Sequence, residues 1–264
     1  MKIGFFGCGN MGGALCRAVH RGLPSATLFL CDSDEAKTAA LAAETGGIPM
    51  QIEEMLSEAD YVFLGLKPDV LPLMLKILGG VVERSHATYI SMAAGIPLAT
   101  LSELLRHKPV IRIMPNTAVA VGAGMTVYAP SEEVSEKAKA DFHRMMSASG
   151  RCDEIRESLI DAACALSGCG PAFAYLFAEA LADGAVACGL PRDRALTYAA
   201  ATVEGAMRMI LETGEHPGAL KDAVCSPGGS TIAGVHALER GGLRAAAMDA
   251  VTAAFARTKE LGKS

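Results

Sequence analysis

The run Lys2-Ile3-Gly4-Phe5-Phe6-Gly7-Cys8-Gly9-Asn10-Met11-Gly12 decides how the first half of the chain folds. Lys2–Phe6 is apolar enough for a short buried strand, and it feeds directly into G-x-G-x-x-G. Beyond the last glycine, Ala14, Leu15, Ala18 and Val19 recur at helical spacing. Gly7 permits a tight turn, Gly9 lets a pyrophosphate approach the backbone, and Gly12 lets the helix pack closely on the strand. Asn10 and Met11 fall where that helix opens, at the end that attracts anions. A glycine-rich turn alone is weak evidence. Here a second strand, Thr27–Cys31, ends in Asp32, twenty positions past Gly12, where an acidic side chain can hold the adenosine ribose hydroxyls. The stretch predicts a dinucleotide-binding βαβ unit. Asp32 favours NAD(H), because a carboxylate repels a 2′-phosphate, while Ser33 and Lys37 just beyond could receive that phosphate.

Working outward, strand and helix keep alternating. A helix at Glu35–Glu44 precedes strands near Ile48–Met50, Tyr61–Leu66, Thr88–Ser91 and Val110–Met114. In a doubly wound sheet, ligands sit beyond the carboxyl ends of the strands. Three such ends are therefore candidate nicotinamide contacts: Leu66-Lys67-Pro68, Met92-Ala93-Ala94-Gly95 and Pro115-Asn116-Thr117. The small Ala93-Ala94-Gly95 would let a flat ring lie against backbone, whereas Arg112 has the alternative of a structural ion pair. After Cys152 the patterning is almost wholly helical and rich in alanine, with Pro171, Pro191 and Pro217 at first-turn positions. The expected fold class is α/β, a Rossmann-type doubly wound sheet over residues 1–155, followed by an all-helical domain over 156–264. The apolar faces of that second domain are too numerous for it to cover alone. A dimer through it is expected, with a higher assembly left open.

Composition narrows the partners. Of 264 residues, 51% are hydrophobic and 20% charged, with a net charge of −5 and no long Lys/Arg run, which speaks against nucleic acid. The longest uncharged stretch, Ala162–Ala178, is interrupted at Gly168–Pro171 and falls short of a membrane-spanning helix. The N-terminus does not read as a signal peptide. Eight cysteines without a C-x-x-C pair read as small buried hydrophobes in a reducing cytoplasm, and no metal site is expected.

Near the far end, Leu220–Gly234 reads LKDAVCSPGGSTIAG. Within it, Ser226-Pro227-Gly228-Gly229-Ser230-Thr231 looks built to receive something small and anionic. Two glycines at positive φ would aim their N–H groups at one point, and Ser230-Thr231 opens a helix whose first amides are free. An ordinary N-cap is the alternative.

Taken together, Gly7–Gly12, LKP, SMAAG, IRIMPNT, LSGCGPAFAY, GLPRDRA and HPGALKDAVCSPGGST resemble the pyrroline-5-carboxylate reductase family over essentially the whole length. The resemblance implies an NAD(P)H-dependent oxidoreductase acting on a cyclic imine, the last step of proline biosynthesis, on a Rossmann domain with a helical dimerisation domain. It implies that Ser226, Gly228, Gly229, Ser230 and Thr231 bind the substrate, with its carboxylate against the backbone N–H groups around the last three. It gives the Thr231 hydroxyl a hydrogen bond to the ring nitrogen, lines the cofactor with Lys67, Pro68, Met92, Ala93 and Ala94, and sets Glu157 near the substrate pocket. It also tips the cofactor toward NADP(H). Cys169 stands where family members often carry Ser, and Asp32 is unusual for an NADP site. A β-hydroxyacid dehydrogenase, the nearest rival, would need a catalytic lysine in the helical domain, yet Arg151–Leu220 contains none. A nucleotide-binding regulator without activity is the other rival.

Overall fold

The structure, a computed structural model, describes residues 1–261. The first unit is built on an eight-stranded sheet: β1 (Lys2–Phe6), β2 (Thr27–Cys31), β3 (Ile48–Pro49), β4 (Tyr61–Leu64), β5 (Thr88–Ser91), β6 (Val110–Met114), β7 (Gly124–Pro130) and β8 (Gly150–Glu154). Their order is β3-β2-β1-β4-β5-β6-β7-β8. The first six strands are parallel and follow the 3-2-1-4-5-6 winding of dinucleotide-binding sheets. β7 runs antiparallel to β6, and β8 parallel to β7.

Parallel strands must be covered on both faces, so β1 and β4 read as unbroken apolar runs. Phe5 and Phe63 stack across them with ring centroids 4.8 Å apart. Helices that cover the sheet include α1 (Asn10–Gly22), α2 (Glu35–Thr45), α3 (Ile52–Glu58), α4 (Leu71–Ile77), α5 (Gly79–Arg84), α6 (Leu98–Leu104) and α7 (Glu136–Met145). Leu15, Val19 and Phe142 form the core on one face, and Met55, Leu71 and Leu101 form it on the other.

The remaining helices are α8 (Ile160–Ala163), α9 (Gly170–Ala187), α10 (Arg192–Thr213), α11 (Pro217–Ala223), α12 (Ser230–Arg240) and α13 (Leu243–Leu261). By packing, the chain forms two compact units. One unit holds Met1–Cys169 with the chain from Ala254, and the other holds Gly170–Ala253. Ile160 of α8 is fully buried against Met114, Val127 and Ala129 of the sheet. In the second unit, α9 and α10 meet through Ala182, Ala195 and Ala199, side chains small enough for close approach.

Gly168–Pro171 does not interrupt the apolar stretch as expected. Helix runs through it, because a π-helical turn over Cys164–Gly168 closes with Cys169 N–H donating to Cys164 O at 3.0 Å. Pro171 leaves the Ser167 carbonyl without its helical donor, and the Asn116 side-chain amide donates to that oxygen at 3.0 Å instead. The continuous run Glu157–Ala187 is thus long and apolar enough to cross a membrane by length and composition, which corrects the sequence expectation.

Candidate active site

The turn from β1 into α1 is closed by three glycines whose reasons differ. Gly7 holds φ +104°, and its N–H donates to Cys31 O at 2.8 Å, locking β1 to β2. A Cβ on Gly12 would stand 2.0 Å from Gly7 O, so no other residue lets α1 start so close to the strand. A Cβ on Gly9 would meet nothing within 4 Å, which leaves open space at the helix start. Gly9 caps α1 without a side-chain bond, so the first amides of the helix keep their hydrogens free for an anion. Sequence reading missed Gly65, whose Cβ would lie 2.8 Å from Gly7 O. Its only signal was a glycine directly after the apolar strand β4.

Asp32 ends β2 and is anchored through both carboxylate oxygens. Oδ2 accepts the Cys8 N–H at 2.7 Å, and Oδ1 accepts the Asp34 N–H at 2.9 Å. Burial and the neighbouring Asp32 charge push the Cys8 thiol up to about 12, so it stays protonated and inert. Beyond the ends of β2 and β3 lies a cavity of about 610 Å³ that includes Asp32 and Ser33.

At the other strand ends the expected residues divide. Lys67 and Pro68 are exposed, and the Lys67 carbonyl accepts the Val70 and Leu71 N–H groups at 3.0 Å, which turns the chain into α4. Leu66 packs into the core beside β4. Met92 is half-buried, Ala93 buried and Ala94 exposed, followed by Gly95 at φ +77°. Asn116 is engaged at both atoms of its amide. Besides the bond to Ser167, its Oδ1 accepts the Ala118 and Met125 N–H groups at 3.2 and 3.3 Å. Glu157 is likewise committed: Oε1 accepts the Leu98 N–H at 2.6 Å, capping α6, and pairs with Arg112 at 2.8 Å. Arg112 is buried and also faces Asp161 at 3.6 Å, the structural ion pair that sequence reading had set beside a site role.

In the helical unit, the Ser226–Thr231 loop leads into α12 with Ser230 and Thr231 as its first two residues. Only Gly228 has positive φ (+70°). Gly229 caps the helix at φ −77°, and its N–H donates to Ser226 O at 3.0 Å. The expectation of two glycine amides aimed at one point is therefore corrected. The turn uses Ser226 to hold Gly229, and the amides without helical acceptors begin at Ser230 and Thr231. Both of these residues are exposed. Lys221, which sequence reading left out, lines a groove with Gly228, Gly229 and Ile232.

Pyrroline-5-carboxylate reductase of Escherichia coli is 40% identical over 270 residues, covering 100% of this chain and 99% of that one. The Methanosarcina acetivorans protein of that name is 42% identical over 266 residues, covering 99% and 98%. The chain belongs to the pyrroline-5-carboxylate reductase family. Residues 157–261 of this reductase match the family model described as pyrroline-5-carboxylate reductase dimerisation, and residues 2–95 match one described as NADP oxidoreductase, coenzyme F420-dependent. The Plasmodium falciparum pyrroline carboxylate reductase, crystallised with NADP bound, has a TM-score of 0.87 at 30% identity over 99% of this chain and 98% of that one. The Rossmann-type sheet, the helical dimerisation domain and the use of NADP(H) or NAD(H) all stand on these matches. The reductase associates with itself through the helical domain.

Proposed function

We propose that this chain reduces the C=N bond of 1-pyrroline-5-carboxylate to L-proline, with the substrate carboxylate held at the start of α12. The observation that carries this reading is the Ser226–Thr231 turn. Gly228 at φ +70° and the Gly229–Ser226 bond present Ser230 and Thr231 at a helix N-terminus, where free amides and the dipole favour a carboxylate. Ser226, Gly228 and Gly229 shape the turn, the Ser230 and Thr231 amides bind the carboxylate, and the Thr231 hydroxyl hydrogen-bonds the ring nitrogen. Glu157 acts through Arg112 and Leu98, holding β6 and the start of α6 in order. The first amides of α1, at Asn10, Met11 and Gly12, take the pyrophosphate, and Leu66, Lys67, Pro68, Met92, Ala93, Ala94 and Asn116 form the strand ends around the nicotinamide.

The bound dinucleotide supplies the hydride. A cyclic imine is basic enough to be substantially protonated near neutral pH, and the iminium carbon then accepts hydride without a strong general acid. The protein's task is to orient the ring and exclude water. The enzyme works as a dimer in the cytoplasm, a setting that suits eight free thiols. Pairing of dimers into a higher assembly belongs to the same reading, and sedimentation velocity tests it. The function is tested by mixing the protein with the imine and NADPH or NADH and following absorbance at 340 nm. Decay well above background with either nucleotide is expected. A flat trace with both would leave the nucleotide-binding regulator.

A further inference from the structure

The cavity beyond β2 and β3 bears on which nicotinamide nucleotide the reductase prefers. Three carboxylates line it: Asp32 at the end of β2, Glu35 in the first turn of α2 and Glu54 in the first turn of α3. No Lys or Arg is among its lining residues. Its neutral polar groups include Ser33 and Gln51. Lys37, which sequence reading set against the phosphate, lies outside the lining and has its ammonium 3.3 Å from Asp34 Oδ2. That pair is exposed and weak.

Asp32 is also the group least able to move aside. Its two oxygens accept the Cys8 and Asp34 N–H groups, so turning away would break both bonds. Each carboxylate oxygen has two lone pairs, so one on each oxygen remains for a hydroxyl donor. Adjacent ribose hydroxyls can supply two donors. A 2′-phosphate is mostly ionised at neutral pH, offers at most one donor, and brings a charge of roughly −1.5 to −2 into a pocket that already holds three carboxylates.

We propose that this chain prefers NADH over NADPH, with Asp32, Glu35 and Glu54 as the specificity-determining residues. The inference rests on the reading of the β1–α1 turn as the dinucleotide site. It departs from the lean toward NADP(H) that the family resemblance suggested.

The test is nucleotide binding without imine, followed by nicotinamide fluorescence; the chain has no tryptophan to interfere. At low ionic strength NADH should bind about tenfold or more tightly than NADPH, and added salt should narrow the gap. Calorimetry with ADP-ribose and its 2′-phosphate should give the same order, since neither carries a nicotinamide. Asp32→Ser would leave the Cys8 N–H without its acceptor and could loosen the turn. Glu35→Gln and Glu54→Gln, both exposed, avoid that problem. Each should tighten NADPH about two- to fivefold relative to NADH. Equal or tighter NADPH binding by the wild type overturns the preference. Glutamine variants that leave the ratio unmoved remove Glu35 and Glu54 from it. If neither nucleotide binds, the dinucleotide site itself is wrong and the preference falls with it. If both bind with the order reversed, the site stands and only the preference fails.

Discussion

Gly12 tolerates no side chain, because the Cβ of even an alanine would sit 2.0 Å from Gly7 O, an atom of rigid backbone. Gly12→Ala should cost about 1–3 kcal/mol of stability as α1 is forced off β1. It should also weaken NADH binding, because the amides that receive the pyrophosphate move with the helix. Thermal melts and fluorescence titration read the two effects separately. Thr231 is the opposite case, exposed and free of packing duty. Thr231→Ala should lower kcat/KM by about 10²-fold or less, a smaller loss than removing an oxyanion donor, because the imine nitrogen is already substantially protonated. Thr231→Ser should restore most of it, and an alanine enzyme with undiminished kcat/KM would end the role. The glycine spacing was legible in the sequence because its cause is steric and local. The partners of Glu157 and Asn116 were not. Glu157 reaches Leu98 and Arg112, 59 and 45 positions away, and Asn116 reaches Ser167, 51 positions away. No spacing rule reports such distances.

Helix α7 shows how an element absent from the sequence reading is held. Its Asp141 is buried, accepts the Tyr61 hydroxyl of β4 at 2.8 Å and pairs with Lys137 and Arg144. Burial alone would raise its pKa, but the Lys137, Tyr61 and Arg144 contacts outweigh it and the carboxyl ends below its ordinary value. A folded pKa below the unfolded one means the unfolded chain takes up the proton first. The stabilisation is therefore present above the unfolded value of about 4 and is lost as pH falls through the lower folded value. Asp141→Asn should cost about 1–3 kcal/mol at pH 7. Urea unfolding of both proteins should show that gap shrinking as pH falls below about 4, and a gap constant with pH would mean that charge plays no part. β8 was missed for a related reason. Its sequence, Gly150-Arg151-Cys152-Asp153-Glu154, carries no apolar alternation and becomes strand because β7 supplies its backbone partners. β1, β2 and β4 were legible because burial on both faces demands nearly unbroken apolar runs.

The helical unit cannot be a finished fold by itself. Its one cluster of buried apolar side chains consists of Ala182, Ala195 and Ala199, among the described residues. Meanwhile Tyr175, Leu176, Tyr198, Leu211 and Met248 are more than half exposed. So small a core cannot offset the cost of ordering some eighty residues at about 1–2 kcal/mol each. The dimerisation family match over 157–261 says what covers the rest: a second copy. The surplus of apolar surface was legible from composition, but which side chains meet the partner was not, since Ala-rich helices are apolar nearly all round. If folding and association are one event, stability must depend on protein concentration. The melting temperature should then rise as the protein is concentrated. Leu176→Glu, placing a charge on an exposed apolar position of α9, should shift sedimentation toward monomer and lower the melting temperature. Ile77→Glu is the control: it is equally exposed, at 68%, but lies on α4 of the sheet unit and should change neither. A wild-type monomer at micromolar concentration with a concentration-independent melt would refute the coupling. A Leu176→Glu protein that remains dimeric would instead move the interface to another face of the helical unit.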